Sequence, residues 1–306
     1  MRLPDFLIIG AQKSGTTWLA DQLSLHPGIF MAPDEIHYFD KAQNYSRGVS
    51  WYAKHFEDAA PGQLVAEKTP DYLWANGDGA EGHLPDVHLK LYQALPGARL
   101  IVVLRNPVER ALSALTHLVR TRRIAPPGNV DELLLGKKHN RIRGHGVISK
   151  GLYYRQLMAY ARLFNRSQML VLIFEEDIAR APEAGLSQVC RFLGVPQIAP
   201  HTSEAVHQNA SRRSLPRLLA DFYFPPARPL SKVIDRIAPA WKPVPGSRTM
   251  DELYQTYAGE NEKLFKWLNR PMPRSWEKKE DTGFTAGAAG ESFPGGRESK
   301  MSRTTR

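Results

Sequence analysis

The sequence is poor in cysteine, since Cys190 is the single one among 306 residues. One cysteine excludes an internal disulfide and a cysteine-based zinc site, and it is typical of a reducing compartment, so we expect a cytoplasmic protein. The sequence also lacks any run of about 18 apolar residues, and a polar loop follows the first Met too closely for a signal peptide. We therefore expect no membrane anchor.

Acidic residues are the second shortage, because 31 Asp and Glu stand against 41 Lys and Arg and the formal net charge is +10. This excess favours an anionic partner, which is nucleic acid, a membrane surface, or a phosphorylated or sulfated ligand. Part of it lies from Lys278 onward among Gly, Ser and Thr residues typical of a solvated tail. We expect one folded domain over residues 1–275 and a disordered basic tail over 276–306.

Short apolar runs recur along the chain, and each is followed by a helical pattern. The predicted strands are Phe6–Gly10, Arg99–Leu104 and Met169–Phe174. The predicted helices behind them are Trp18–Leu25, Pro107–Leu118 and Pro182–Leu193. Strands that alternate with helices indicate a parallel sheet covered on both faces. The fold class is therefore α/β, with three layers and a central parallel sheet flanked by helices.

The stretches between these units are rich in Gly, Pro and polar residues. Asn76–Pro85 and Ile124–Ser149 are expected to be surface insertions. Residues 215–247 contain many prolines and scattered aromatics, so we expect an irregular wrap over the core before a last helix at Met250–Leu268. Substrate specificity is expected to lie in such insertions.

A phosphate-binding loop is indicated by Gly10-Ala11-Gln12-Lys13-Ser14-Gly15-Thr16-Thr17. It lies between a predicted strand and a predicted helix, where backbone N–H groups and a helix N-terminus hold an anion. The glycine spacing makes the fold P-loop-like, yet Thr16-Thr17 stands where nucleoside triphosphatases have Lys followed by Ser or Thr. The displaced lysine disfavours a metal-dependent kinase or ATPase and suits a ligand with one 5' phosphate beside another anionic group.

A second anion site is predicted at Arg105 and Ser113. Arg105 follows a strand end, where α/β sheets bind ligands, and Ser113 can face it from the next helix. Taken singly, Arg105 also suits a surface ion pair and Ser113 a serine bonded to its own helix backbone.

Two further segments combine carboxylates with lysine or histidine, namely Glu35-Ile36-His37-Tyr38-Phe39-Asp40 and Glu67-Lys68-Thr69-Pro70-Asp71-Tyr72. A positioned carboxylate can take a proton from a weakly nucleophilic hydroxyl, and a fixed lysine can stabilise negative charge on a leaving group. Read alone, His37 is more typical of a structural histidine and Asp40 of a cap or ion-pair partner.

These segments occur in the order found in sulfotransferases that use 3'-phosphoadenosine 5'-phosphosulfate (PAPS). Gln-Lys-Ser-Gly-Thr-Thr-Trp-Leu at 12–19 resembles their 5'-phosphosulfate loop, and 105–113 resembles their 3'-phosphate signature. Residues 151–157 and 207–213 are similar to the Gly-x-Tyr helix start and to the late loop over the nucleotide. Residues 35–40 and 67–72 resemble the heparan-type glycosaminoglycan group, which adds information on the acceptor.

The resemblance implies a metal-free site for PAPS and its product PAP. The implied nucleotide contacts are Lys13, Ser14, Gly15, Thr16, Thr17, Trp18, Arg105, Ser113, Tyr153, Arg212 and Arg213. Glu35 becomes the catalytic base, Lys13 and Lys68 flank the transferred group, and His37 orients Glu35 or contacts the acceptor. Tyr153 suits core packing and ligand contact equally.

The resemblance leaves the acceptor open. A carbohydrate hydroxyl is expected first, then a lipid or small-metabolite hydroxyl, or an amine that would be N-sulfated. The chain lacks the anchor, stem and disulfide of Golgi members, so a bacterial-type relative is expected. An inactive nucleotide-binding module and a nucleic-acid binder are the alternatives, but neither explains Glu35 and Lys68, and no nucleic-acid partner is expected.

Overall fold

A parallel sheet forms the middle of the molecule. The computed structural model describes residues 1–77, 80, 82–201, 213–224 and 239–278. The strands are β1 Phe6–Gly10, β2 Ile29–Met31, β3 Leu64–Lys68, β4 Arg99–Leu104 and β5 Met169–Ile173. Their order in the sheet is β2-β3-β1-β4-β5, and every neighbouring pair is parallel. Parallel pairing brings the carboxyl ends of β3, β1 and β4 to one edge, side by side.

Helices cover the sheet and extend beyond it. Those before β4 are α1 Thr16–Ser24, α2 Ala42–Tyr45, α3 Val49–Lys54 and α4 Val87–Ala94. Those after β4 are α5 Pro107–Arg120, α6 Val130–Leu134, α7 Asn140–Arg143, α8 Tyr153–Ala161, α9 Pro182–Leu193, α10 Leu215–Tyr223 and α11 Ser247–Leu268. In the described part of the chain, none of the helices combines the length and apolar character needed to cross a bilayer.

The side chains of β1 alternate between two apolar clusters, one on each face of the sheet. Leu7 and Ile9 belong to the cluster that includes Tyr160 of α8, whereas Ile8 packs with Leu19 of α1 and other residues of the opposite face. All five residues of β1 are buried, as expected for a strand covered on both faces. The predicted α/β fold, with a central parallel sheet between helical layers, is confirmed.

Several local expectations were wrong. Residues 215–223 form α10 rather than an irregular wrap, because Pro216 stands in the first turn of a helix, where proline is tolerated. The segment 124–149 contains α6 and α7 and contributes buried side chains, such as Leu134 and Ile142, to a third cluster with α5 and α11. It is therefore packed against the domain rather than laid on its surface. The three-residue strand β2 was too short to be seen in the sequence.

The C-terminal boundary of the fold lies beyond residue 275. Trp276, which the sequence analysis placed in the tail, is buried, and its ring contacts Tyr153 and Phe265. Its indole N–H donates to Glu175 at 3.0 Å. Trp276 is thus part of the core.

Candidate active site

The loops that follow β1, β3 and β4 carry the polar side chains of the candidate site. Lys13 lies in the loop after β1, Lys68 is the last residue of β3, and Arg105 follows β4. The strands are adjacent in the sheet, so these three cations gather at one edge. This is the edge where open α/β sheets bind ligands.

The loop between β1 and α1 leaves the helix N-terminus open. Gly15 precedes α1 with φ of 89°, and a Cβ at that position would lie 2.7 Å from the Phe174 ring. Glycine is therefore required both by the backbone conformation and by the space. Neither a side-chain cap nor an acidic residue occupies the first turn of α1. The backbone N–H groups of this turn, which begins with Thr16 and Thr17, therefore form an anion-binding end.

Arg105 joins the second predicted anion site to this loop. Its guanidinium donates to the Lys13 carbonyl at 3.4 Å, lies over the Phe174 ring at 5.3 Å, and approaches Glu109 to 3.7 Å. Burial, together with the nearby cations Arg120 and Arg105, lowers the pKa of Lys13. The region therefore carries a concentration of positive charge that an anionic ligand would neutralise.

The other residues predicted to contact the nucleotide have diverse environments. Ser113 is half-buried, two turns into α5, and Ser14 is fully buried. Trp18 lies in the core cluster on the α1 face of the sheet. Tyr153 is buried and donates its hydroxyl to the Arg105 carbonyl at 2.8 Å, so it supports the strand end that carries Arg105.

The late basic pair is only partly within the described residues. Arg212 lies outside them. Arg213 donates to the Arg120 carbonyl at 3.1 Å and contacts Asp221 of α10 at 3.3 Å. This places Arg213 between the C-terminal ends of α5 and α10.

Glu35, Lys68 and His37 form a contiguous charged group. The Lys68 ammonium donates to one Glu35 oxygen at 2.6 Å, and His37 Nε2 lies 3.5 Å from the other. The opposite ring nitrogen, His37 Nδ1, lies 2.9 Å from Asp40, which is completely buried. Glu35 is the most exposed of the group, at 39% of its side chain, so it faces the space where a second substrate could approach.

These contacts fix the charge states at neutral pH. Burial raises the pKa of Glu35, but hydrogen bonds with His37 and Lys68 outweigh it and hold that pKa below its ordinary value. Burial lowers the pKa of His37, yet its bonds to Asp40 and Glu35 outweigh burial and raise the pKa to about 10. The group therefore consists of an ionised carboxylate between an ammonium and an imidazolium.

Sequence reasoning missed an ion pair beside this group. Lys150, in the short 3-10 turn before α8, donates to Asp71 at 2.8 Å, and Gln12 of the β1–α1 loop contacts the same oxygen at 3.3 Å. Burial raises the pKa of Asp71, but the Lys150 charge overrides it and holds the pKa far below its usual range. Lys150 and Asp71 are 79 residues apart, so no local pattern could have paired them.

His37, Asp40 and Asp71 offer three ligand atoms within 4.8 Å of one another. Metal ligation needs a neutral imidazole. In this structure His37 contacts Asp40 and Glu35, and Asp71 pairs with Lys150, so these groups belong to a hydrogen-bonded network of charges. In the described residues this cluster therefore reads as the support of Glu35.

Comparison with known proteins agrees with this geometry. Residues 3–218 match the sulfotransferase domain model. Human heparan sulfate glucosamine 3-O-sulfotransferase 5 is 27% identical over 198 residues, which cover 64% of this chain and 54% of that protein. Human heparan sulfate glucosamine 3-O-sulfotransferase 3B1 is 31% identical over 202 residues, covering 64% and 47%. The chain spans about half the length of the curated relatives it matches.

Similarity to a solved structure extends over more of the chain. A sulfotransferase from Alicyclobacillus acidocaldarius superposes with a TM-score of 0.64 and 26% identity, covering 90% of this chain and 99% of that one. The resemblance drawn from the sequence motifs is thereby confirmed. The chain belongs to the sulfotransferase family and is an enzyme of that family, similar to its heparan sulfate group.

Proposed function

We propose that the protein transfers the sulfuryl group of PAPS to a hydroxyl of a carbohydrate, with Glu35 as the base. The observation that carries this proposal is the pairing of Glu35 with Lys68 at 2.6 Å beside the anion-binding loop. A base and a leaving-group cation then stand next to each other at the same sheet edge.

The donor set fits a nucleotide with two anionic ends. The open N-terminus of α1, with Lys13, Thr16 and Thr17, suits the 5' phosphosulfate. Arg105, fixed by its bond to the Lys13 carbonyl, and Ser113 suit the 3' phosphate. Gly15 allows close approach of the backbone, since any larger residue would meet Phe174.

The transfer proceeds as an in-line displacement. The acceptor oxygen attacks sulfur, its proton goes to Glu35, and the bond between sulfur and the bridging phosphate oxygen breaks, so that PAP leaves with the electron pair. Negative charge grows on that oxygen, and Lys13 and Lys68 stabilise it in the transition state. Lys68 is bound to Glu35 before substrates arrive. When the Lys68 ammonium turns toward the leaving group, it frees a lone pair of the Glu35 carboxylate to take the proton.

A carbohydrate acceptor is supported by the names of the relatives, which act on heparan sulfate glucosamine. It is also supported by the positive charge near the site. Burial and the charges of Arg120 and Arg105 lower the pKa of Lys13. Burial and the charges of Lys13, Arg123 and Arg120 lower the pKa of the neighbouring His117. A lipid or metabolite hydroxyl and an amine acceptor are the alternatives. Metal-free transfer belongs to the same proposal, as does a cytoplasmic location.

The proposal is tested by transfer of labelled sulfate from PAPS to a panel of glycans, lipids, phenols and amines. Assays run with and without EDTA, and PAP binding is measured in parallel. Lys13→Ala is expected to lower transfer by about 10²–10³-fold, as for loss of one transition-state donor. Lys54→Ala, an exposed lysine at the end of α3, is the control and should transfer like wild type.

The outcomes separate the parts of the proposal. Transfer of label to a glycan that continues in the presence of EDTA supports the proposal in full. Labelling of an amine or a lipid alone overturns the carbohydrate acceptor, and loss of transfer in EDTA overturns metal independence. Tight PAP binding with no labelled acceptor would favour a binding module, and lack of PAP binding would overturn the nucleotide assignment.

A further inference from the structure

Glu67 is a buried carboxylate next to the candidate site for which the proposed reaction has no use. It lies on β3 directly before Lys68, and its side chain is completely buried. Successive strand residues point to opposite faces, so Glu67 faces away from Glu35 while Lys68 meets it. No Lys or Arg in the described residues pairs with Glu67; its partners are hydroxyl groups.

Three hydroxyls donate to this carboxylate. Thr69 donates at 2.8 Å, Tyr72 lies 3.2 and 3.4 Å from the two oxygens, and Tyr52 of α3 also donates. Tyr52 and Tyr72 are themselves fully buried, and burial raises the pKa of both far above the ordinary value. They therefore stay neutral donors. An ionised Glu67 accepts all three hydrogens.

Two of these hydroxyl oxygens accept hydrogen bonds from the loop that carries the base. The Tyr38 backbone N–H donates to the Tyr72 oxygen at 2.8 Å, and the His37 N–H reaches the Thr69 oxygen at 3.5 Å. Because Glu67 takes the hydroxyl hydrogens of Tyr72 and Thr69, their lone pairs face the loop. Glu67 thus sets the direction of the bonds that hold residues 37 and 38.

The loop needs such support because His37 has φ of 52°. A non-glycine residue in the left-handed region is strained by about 1–3 kcal/mol and persists where its surroundings hold it. Asn44 adds bonds to the carbonyls of Ile36 and His37 at 2.9 and 3.3 Å. These bonds hold the carbonyl side, whereas the network of Glu67 holds the N–H side.

We propose that Glu67 is a positioning residue that fixes Glu35 and His37 for proton transfer through the hydroxyls of Tyr72 and Thr69. This inference rests on the proposed function, in which Glu35 is the base. A protonated Glu67 becomes a donor, so one hydroxyl must turn its hydrogen elsewhere and compete with the loop N–H groups. Protonation should therefore loosen the loop and slow transfer.

The electrostatic surroundings put that protonation in an accessible range. Burial raises the pKa of Glu67 to about 7 against the hydrogen bonds of Tyr52, Thr69 and Tyr72, and the Asp40 charge raises it further. The titratable groups that face Glu67 are Tyr52 from α3, Tyr72 from beyond β3, and Asp40 from the loop that carries Glu35 and His37. The pKa of His37 is about 10 and that of Glu35 is lowered, so neither titrates near 7.

The first test compares two buried tyrosines. Tyr72→Phe removes the hydroxyl that links Glu67 to the loop. Tyr257→Phe removes an equally buried hydroxyl that donates to the Ile148 carbonyl at 3.0 Å. We expect Tyr72→Phe to lower kcat by about 10- to 100-fold, the scale of a misplaced reactive group, with PAP affinity within about twofold of wild type. Tyr257→Phe should keep kcat. Equal kcat in both variants and wild type would overturn the inference.

The second test is the pH profile, which a purely structural role would not move. The kcat of wild type should fall as pH drops through about 7, whereas Glu67→Gln, which cannot ionise, should give a lower and flat kcat across that range. An unchanged inflection in Glu67→Gln would overturn the inference. Glu35→Gln separates the two proposals: if it transfers at the wild-type rate, the base assignment fails. If it is inactive while Tyr72→Phe is normal, only the role of Glu67 fails.

Discussion

Lys150 and Asp71 form an ion pair at 2.8 Å in which 8% and 16% of the two side chains are exposed. The Lys150 ammonium also lies 4.7 Å from the centre of the Trp74 ring. Lys150→Met keeps most of the apolar stem and removes the charge. The Asp71 carboxylate would then remain buried near Asp40 without its strongest cation.

Removing one partner of a buried pair typically costs about 3–5 kcal/mol, because the other charge is left uncompensated. At a few degrees per kcal/mol, the midpoint of thermal unfolding should fall by on the order of 10 °C. The control is Lys138→Met, since Lys138 and Glu132 have a similar separation of 2.7 Å but are exposed by 54% and 43%. Exposed pairs are screened by water and salt, so this variant should unfold near wild type.

The assay is urea and thermal unfolding at pH 7.5 and again below pH 4. The pKa of Asp71 is held far below its ordinary value: burial raises it, and Lys150 lowers it more. The stabilisation it gives is therefore present above the unfolded pKa of about 3.9 and is lost as pH falls toward the folded pKa. The difference between wild type and Lys150→Met should shrink in acid. A Lys150→Met variant no less stable than Lys138→Met at pH 7.5 would refute the reasoning.

Three further outcomes are expected. Asp40→Asn should lower the pKa of His37 from about 10, as followed by NMR, and equal titration of His37 in both proteins would contradict this. In wild type, the contribution of His37 to stability should be lost as pH rises from about 6.5 to 10. Trp276→Ala should lower the unfolding free energy by about 3–5 kcal/mol in urea titration, because the buried ring contacts Tyr153 and Phe265. A loss as small as that of a surface substitution would contradict the burial of Trp276. Gly15→Ala should abolish PAP binding in calorimetry, since its Cβ would meet Phe174 at 2.7 Å, and retained binding would refute the steric argument.

The parts of the site that could be predicted from sequence are those encoded locally. An apolar strand, a glycine loop and a helix start are contiguous, so the loop of Lys13 and the strand end of Arg105 were found from their own neighbourhoods. Parallel strands place their carboxyl ends together, which explains why Lys13, Lys68 and Arg105 lie at one edge of the sheet. The family resemblance implied separate roles for Glu35 and Lys68, and their contact at 2.6 Å is seen only in the structure.

The parts that could not be predicted depend on contacts distant in sequence. Asp71 and Lys150 are 79 residues apart, and Tyr52 and Glu67 meet from a helix and a strand. Composition also misled, because the prolines of 215–247 suggested irregular structure although Pro216 lies in the first turn of α10. Trp276 follows a stretch without periodicity, and only its packing against Phe265 shows that it belongs to the core.

The most direct test of the account is the reactivity of Glu35→Gln under single-turnover conditions. PAP affinity is measured on the same protein, and Glu57→Gln, at an exposed position in the segment after α3, is the control. We predict that Glu35→Gln loses at least about 10²-fold in transfer rate, the contribution of a positioned base, while it binds PAP like wild type and Glu57→Gln remains fully active. Wild-type transfer by Glu35→Gln would contradict the assignment of the base and with it the proposed mechanism.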